Sequence, residues 1–197
     1  MANLRAICVF CGSSPGNEPI YMETARLLGE ELVRRNIGLV YGGGSVGLMG
    51  EVARTVHEGG VPVLGVIPNA LAPKELSGDS IGELIIVDSM HERKAIMAQR
   101  SDAFLTLPGG YGTMDELFEV VTWVQLGIQS KPIGLLNMAG YFDPIVTWIE
   151  LALAYGFLRA HHREILVAES EPAALLDCLA EHEPPAGLVK WMDWEQT

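Results

Sequence analysis

The chain has 197 residues, 49% of them hydrophobic and 19% charged, with a formal net charge of −12. That length and apolar fraction give one domain with a substantial core and exclude a disordered chain. The negative balance argues against nonspecific binding to nucleic acid or to an anionic membrane surface, and no apolar run reaches the roughly 18 residues of a membrane span.

The N-terminus carries one arginine and reads directly into a strand, Arg5–Phe10. It lacks the apolar h-region and small-residue cleavage site of a signal peptide, so a cytoplasmic location is expected. Cys8 and Cys11 have C-x-x-C spacing, which raises a redox pair. Cys8, however, falls inside the apolar run Ile7–Phe10, where a buried thiol acts as a small hydrophobe, and no second pair completes a zinc site.

Asn17 is predicted to cap a helix that opens with Glu18-Pro19 and runs to about Asn36, with Pro19 suited to the first turn. A strand follows at Gly38–Tyr41, then a helix from near Gly47 to His57, stopped by Gly59-Gly60. Strands are predicted at Pro62–Ile67 and Leu84–Val87. Ser89-x-x-Glu92 forms a capping box for a helix through Gln99. After a strand at Ala103–Leu107, Thr113-x-x-Glu116 is predicted as a second capping box, opening a helix to about Gly127. The series ends with a strand at Pro132–Leu136, a helix from Asp143-Pro144 to near Gly156, a short strand at Ile165–Val167, and a helix from Pro172 to about Glu181.

The strands are nearly continuous apolar runs, as parallel strands buried on both faces should be. Their alternation with helices predicts an α/β fold: a doubly wound, Rossmann-like, mostly parallel sheet with helices on both faces. Residues 1–182 form the domain. Residues 183–197, with Trp191 and Trp194, form a tail that either docks on the core or reaches a partner subunit. Ligands of such sheets bind beyond the carboxyl ends of the strands.

Two glycine-rich loops occupy that position. Tyr41–Gly50 runs from strand to helix, and Gly42, Gly44 and Gly47 satisfy G-x-G-x-x-G. A dinucleotide site needs an acid at the end of the next strand, about 20 residues on; that strand ends Val66-Ile67-Pro68-Asn69, so NAD is not expected. No Gly-Lys-Ser/Thr follows, which excludes a Walker loop. The second loop, Leu107–Glu116, also leads from strand to helix. Two helix N-termini at one sheet edge favour an anion, each by about 0.3–1 kcal/mol. An anionic substrate thereby finds a local positive site on an acidic protein, and Thr113 can add a hydroxyl.

Pro108-Gly109-Gly110-Tyr111-Gly112-Thr113-Met114-Asp115-Glu116 matches the P-G-G-x-G-T-x-x-E signature of the Lonely Guy (LOG) family. Met90-His91-Glu92-Arg93-Lys94 is similar to that family's M-x-x-R-K motif, and Phe10–Ser14 and the Tyr41–Gly50 loop resemble its other glycine-rich stretches. The resemblance covers roughly residues 5 to 180. It implies a cytokinin riboside 5′-monophosphate phosphoribohydrolase that releases an adenine-type base and ribose 5-phosphate, with AMP as a common second substrate, and a homodimer with sites near the subunit interface. It implies Arg93 and Glu116 as the catalytic pair. It also implies substrate contacts from Ser14, Gly43, Gly44, Glu75, Met90 and Lys94, from Gly109, Gly110, Tyr111, Gly112 and Thr113, and from Thr122. Members have been labelled lysine decarboxylases, but no lysine here is identifiable as a Schiff-base residue with a pyridinium partner.

Cleaving a ribosyl–purine bond develops positive charge at the anomeric carbon, which glycoside-cleaving enzymes meet with a carboxylate. Glu116 fits that role. In the first turn of its predicted helix the macrodipole favours the ionised form. It is also the predicted capping-box glutamate of Thr113, and the two roles are compatible. Arg93 does not deprotonate and so serves by gripping phosphate or ribose, or by orienting Glu116. His57, His161, His162 and His182 lack metal-ligand spacing, His91 reads as a structural histidine of a capping turn, and neither a metal nor a cofactor is expected. The alternative is a non-catalytic nucleotide sensor or carrier of the same fold. Nucleic acid and membrane are not expected partners.

Overall fold

The computed structural model describes residues 4–75, 80–183, 185 and 188. Seven strands, β1 (Ala6–Phe10), β2 (Gly38–Tyr41), β3 (Val63–Pro68), β4 (Glu83–Val87), β5 (Ala103–Thr106), β6 (Ile133–Leu136) and β7 (Leu166–Glu169), form one sheet. Their order is β4-β3-β2-β1-β5-β6-β7 and every pairing is parallel. The connections carry α1 (Pro19–Arg35), α2 (Gly47–Glu58), α3 (Ala72–Glu75), α4 (Met90–Gln99), α5 (Tyr111–Gln125) and α6 (Asp143–Ala154), and α7 (Pro172–Glu181) follows β7. Two 3₁₀ turns lie at Met138–Gly140 and Ala160–Ile165. This is the doubly wound arrangement, and its topological switch point falls between β1 and β5.

Alternation along β1 divides the interior into two cores. Ile7, Val9 and Cys11 pack with Leu28 and Leu32 of α1, Val52 and Val56 of α2, and Leu175 and Leu179 of α7. Cys8 and Phe10 face the other side, with Met97 of α4, Leu117, Val120 and Val124 of α5, and Ile133 and Leu135 of β6. Leu28, Leu32 and Leu117 are fully closed to solvent, and each such side chain stabilises the fold by roughly 1.5–3 kcal/mol relative to exposure. Cys8 and Cys11 therefore sit on opposite faces of the sheet, as residues three apart on an extended chain must. Burial, first, and then the charge of Glu116 push both thiols upward, so the pair is structural rather than redox-active.

The structure corrects several local expectations. α1 is preceded by Glu18, which makes no side-chain capping bond, and Asn17 is not its cap; Pro19 at the start fixes the first turn instead. α5 begins at Tyr111 with Gly110 as N-cap and no side-chain capping bond. Thr113 is therefore inside the helix and Glu116 in its second turn, so the predicted Thr113-x-x-Glu116 box does not form. The cause is tertiary: Thr113 packs on Gly109 and Glu116 turns to Arg93. The Ser89 box forms in altered shape. Ser89 Oγ accepts the Glu92 N–H, while the Glu92 carboxylate accepts from Asp88 rather than from Ser89. The last strand is Leu166–Glu169, one residue later than predicted at its start, and α3 was not foreseen. Trp191 and Trp194 lie outside the described residues. Among the described residues no helix is long and apolar enough to cross a membrane.

Candidate active site

Three chain segments meet beyond the carboxyl ends of β1, β2 and β5. The exit of β1 is pinned on both sides: Gly12 N–H donates to the Pro108 carbonyl at 3.0 Å, and Met49 N–H of α2 donates to the Gly12 carbonyl at 3.2 Å. These contacts demand glycine at two positions. Gly47 has φ +60°, and a Cβ there would lie 2.3–2.5 Å from the Ser13–Ser14 peptide. A Cβ on Gly109 would lie 2.1 Å from Thr113 Oγ1 and 2.8 Å from Gly12 N.

Arg93 and Lys94 leave the start of α4 and point inward toward α5. Arg93 Nη2 stands 3.4 Å from Glu116 Oε1, and both side chains are almost wholly buried. Arg93 Nη1 donates to the Met90 thioether at 3.7 Å, and Arg93 Nε is buried with no hydrogen-bond partner among the described residues. Glu116 is displaced from the first turn, and the charged group facing it is the Arg93 guanidinium. Lys94 Nζ lies 3.0 Å from Asp115 Oδ2 and 3.0 Å from Glu119 Oε1.

The two glycine-rich loops differ. Above the start of α5, a Cβ on Gly110 or Gly112 would meet nothing within 4 Å, and Tyr111 is 97% exposed. First-turn N–H groups have no intrahelical acceptor, and this terminus is open to solvent, the setting in which such groups can meet an anion. The β2 loop is closed. Gly43 packs on Ile67 and Leu84, and the Gly44 N–H donates to the Met49 thioether at 3.2 Å. A cleft of about 370 Å³ opens between the β1 and β5 loops, bordered by Ser13, Ser14, Gly109, Gly110, Tyr21 and Tyr141. Tyr141 Oη donates to the Gly109 carbonyl at 2.6 Å and its ring meets Tyr21 edge-on.

The structure thus brings together Ser14, Gly109, Gly110, Tyr111, Gly112 and Thr113 around the open terminus, with Met90, Arg93 and Glu116 beside it. It does not bring Gly43 or Gly44 to an open surface. Glu75 closes α3, and its side chain lies outside the described residues. Thr122 lies elsewhere: its hydroxyl donates to the Phe118 carbonyl, and it borders an apolar hollow with Trp148, His162 and Leu166. Sequence reasoning missed Tyr21, Tyr141 and Met49, which no local pattern marks. It also missed Asp115 and Glu119, which the spacing of acids opposite the Arg93-Lys94 doublet could have shown. A larger hollow of about 600 Å³ lies at the amino edge of the sheet, lined in part by Arg5, Arg35 and Arg100. Two of those arginines are already paired with carboxylates, Arg5 with Asp102 and Arg35 with Glu31 and Asp177.

Residues 49–179 match a protein family described as "Possible lysine decarboxylase". The chain is 53% identical over 195 residues to the probable cytokinin riboside 5′-monophosphate phosphoribohydrolase LOGL2 of Oryza sativa subsp. japonica, covering 98% of this chain and 80% of that one. It is 52% identical over 197 residues to the cytokinin riboside 5′-monophosphate phosphoribohydrolase LOG2 of Arabidopsis thaliana, covering 100% and 92%. Among solved structures it is similar to the molybdenum cofactor binding protein of Rippkaea orientalis, with a TM-score of 0.64 and 20% identity over 87% of this chain and 93% of that one. That likeness shows the fold alone.

Proposed function

The chain belongs to the Lonely Guy family of cytokinin riboside 5′-monophosphate phosphoribohydrolases, and we propose that it hydrolyses the N-glycosidic bond of adenine-type nucleoside 5′-monophosphates. The products are the free base, N6-modified or plain adenine, and ribose 5-phosphate. The single observation that carries this reading onto the present residues is the buried Arg93–Glu116 pair set beside the open N-terminus of α5.

In this reading the phosphate rests on the N–H groups around Gly110, Gly112 and Thr113. From Gly112 to Glu116 the helix advances about 6 Å, comparable to the span of a ribose 5-phosphate. The Glu116 carboxylate then faces the anomeric carbon and stabilises the positive charge that develops as the purine departs. Arg93 holds that carboxylate in place. Ser14 borders the cleft, and Met90 braces Arg93 through its thioether. The decarboxylase wording of the family description finds no support in Lys94. Burial alone lowers the pKa of its ammonium, but the hydrogen bonds it donates to Asp115 and Glu119 outweigh burial and raise it, the reverse of what a Schiff-base lysine needs.

The proposal extends to a homodimer and to a cytoplasmic setting. Within α6 only Ala152 is buried, while Trp148 and Leu151 are each 50% exposed and Tyr155 and Phe157 follow at 76% and 84%. A contiguous apolar face of this kind fits a second copy of the chain, and it puts Thr122, whose hollow includes Trp148, at the subunit boundary. Free Cys8, Cys11 and Cys178 fit a reducing compartment. The decisive assay incubates purified protein with AMP and with isopentenyladenosine monophosphate and follows base and ribose 5-phosphate by chromatography. Release of both products is the expected result; tight binding with neither product released would favour a nucleotide sensor or carrier.

A further inference from the structure

We propose that Tyr141 is a positioning residue for the substrate phosphate, its hydroxyl fixing the Gly109–Gly110 peptide at the mouth of α5. The proposal rests on the phosphoribohydrolase reading for its kinetic test, while its geometric basis does not. A Gly-Gly peptide has no side chain on either flank to set its plane. Tyr141 Oη supplies the restraint from outside, donating to the Gly109 carbonyl at 2.6 Å across 32 residues of chain. The peptide is trans and planar, so its N–H points opposite to its C=O. Holding the Gly109 oxygen therefore also sets the direction of the Gly110 N–H, and Gly110 is the N-cap of α5.

The tyrosine is itself braced. It follows the 3₁₀ turn Met138–Gly140, in which Ala139 and Gly140 have φ values of 50° and 71°. A non-glycine residue in that region persists where its surroundings over-determine the backbone, and Asn137 does so here. Its N–H donates to the Glu169 carbonyl at 2.8 Å, its Oδ1 accepts the Phe142 N–H at 2.7 Å, and its Nδ2 donates to Asp143 Oδ1 at 2.8 Å. The Tyr141 ring meets Tyr21 edge-on at 6.3 Å and Phe142 edge-on at 5.1 Å. A tyrosine has one O–H to give. With that proton on the Gly109 carbonyl, Tyr141 offers the cleft only oxygen lone pairs, which do not attract a phosphate dianion. It acts on the phosphate through the peptide and not by touching it.

The test uses the full chain and three variants, Tyr141→Phe, Tyr21→Leu and their combination, assayed on AMP with ribose 5-phosphate as competing product. Tyr141→Phe keeps both ring contacts and removes one neutral hydrogen bond, which moves an equilibrium by about 3–10-fold. KM for AMP and the inhibition constant of ribose 5-phosphate should both rise by that factor while kcat stays within about 2-fold, the pattern of lost ground-state binding. Tyr21→Leu frees the Tyr141 ring and raises KM by a smaller factor, so the proposal stays testable if Tyr141→Phe fails to fold. Because Tyr21 acts through Tyr141, the double variant is no worse than Tyr141→Phe. A merely structural bond would lower Tm and leave both constants unchanged. That result, a kcat loss at constant KM, or additive effects in the double variant overturns the proposal. If the wild-type chain releases no base, the functional reading fails by itself, and the peptide is then read directly by NMR. The order parameter of the Gly110 amide in the unliganded chain should fall in Tyr141→Phe from about 0.85 toward about 0.6; an unchanged value overturns the proposal.

Discussion

Gly42 and Arg93 are so closely apposed that a Cβ on Gly42 would stand 2.0 Å from Nη2 of Arg93 and 3.1 Å from its Cζ. The same Cβ would lie 3.2 Å from Met49 Sδ, so the new methyl has no empty side to retreat to. Gly42→Ala therefore drives the guanidinium off Glu116 without touching either residue chemically. Overpacking of this sort costs about 1–3 kcal/mol of stability, whereas displacing a preorganised electrostatic group lowers turnover about 10²–10³-fold. The expected variant is folded by circular dichroism, modestly less heat-stable, and nearly inactive on AMP. Full turnover from Gly42→Ala would mean that the position of Arg93 is immaterial to the chemistry.

Glu116→Gln keeps the size of the side chain and removes its charge. Turnover should fall by about 10²–10³-fold or more, as for other groups that stabilise transition-state charge. Nucleotide affinity, measured by calorimetry, should stay within a few-fold of wild type if, as proposed, the backbone of α5's first turn holds the phosphate. Breaking a buried pair by removing one charge also destabilises, by about 3–5 kcal/mol in the worst case; the amide oxygen can still accept from Arg93 and should hold the loss below that. A variant that retains most activity would remove Glu116 from the catalytic role.

Which parts of this site were legible in the sequence follows from which interactions are local. The strands announced themselves as apolar runs, and the run Ile7–Phe10 marked Cys8 as a core residue. Arg93 and Glu116 came from motifs whose order survives any error in helix boundaries. The Thr113-x-x-Glu116 pattern misled because a capping box is a local arrangement, and here tertiary partners, Gly109 for Thr113 and Arg93 for Glu116, outcompete it. α3, at Ala72–Glu75, is too short to show a period. Tyr141 reaches Gly109 from 32 residues away in the chain, and nothing near either residue encodes that bond.

Acid stability should depend on Glu31. A hydrogen bond from Arg34, reinforced by Arg35 and opposed by partial burial, lowers its carboxyl from the ordinary 4.5 to about 2. A depressed folded-state value contributes stability that is present above about pH 4.5 and is lost as the pH falls toward 2. Arg35 in turn bonds Asp177 and the Ala173 carbonyl, so this cluster ties α1 to α7. Glu31→Gln should unfold at a lower temperature than wild type at pH 7, by about 2–4 °C for a cluster worth on the order of 1 kcal/mol in a chain of this size. The two melting curves should converge by pH 2. A gap that persists unchanged at that pH would assign the effect to packing and not to charge.

The apolar face of α6 gives the last prediction. Leu151 is half exposed, and Trp148, which meets the Phe118 ring of α5 edge-on at 5.7 Å, is equally open. In an isologous dimer each interface residue occurs twice, so a charge at Leu151 acts on both subunits. Burying a leucine contributes roughly 1.5–3 kcal/mol, and every 1.4 kcal/mol is about tenfold in affinity; two copies of Leu151→Glu should weaken the dimer by at least about 10²-fold. Light scattering after size exclusion should show twice the chain mass for wild type and the single mass for Leu151→Glu. A variant that stays dimeric would move the interface off α6. The activity of the separated chain carries the further step: Thr122 lies on the same surface as Trp148, so a monomer with normal kcat and a raised KM would assign Thr122 to substrate binding across the subunit boundary, while unchanged constants would confine the site to a single chain.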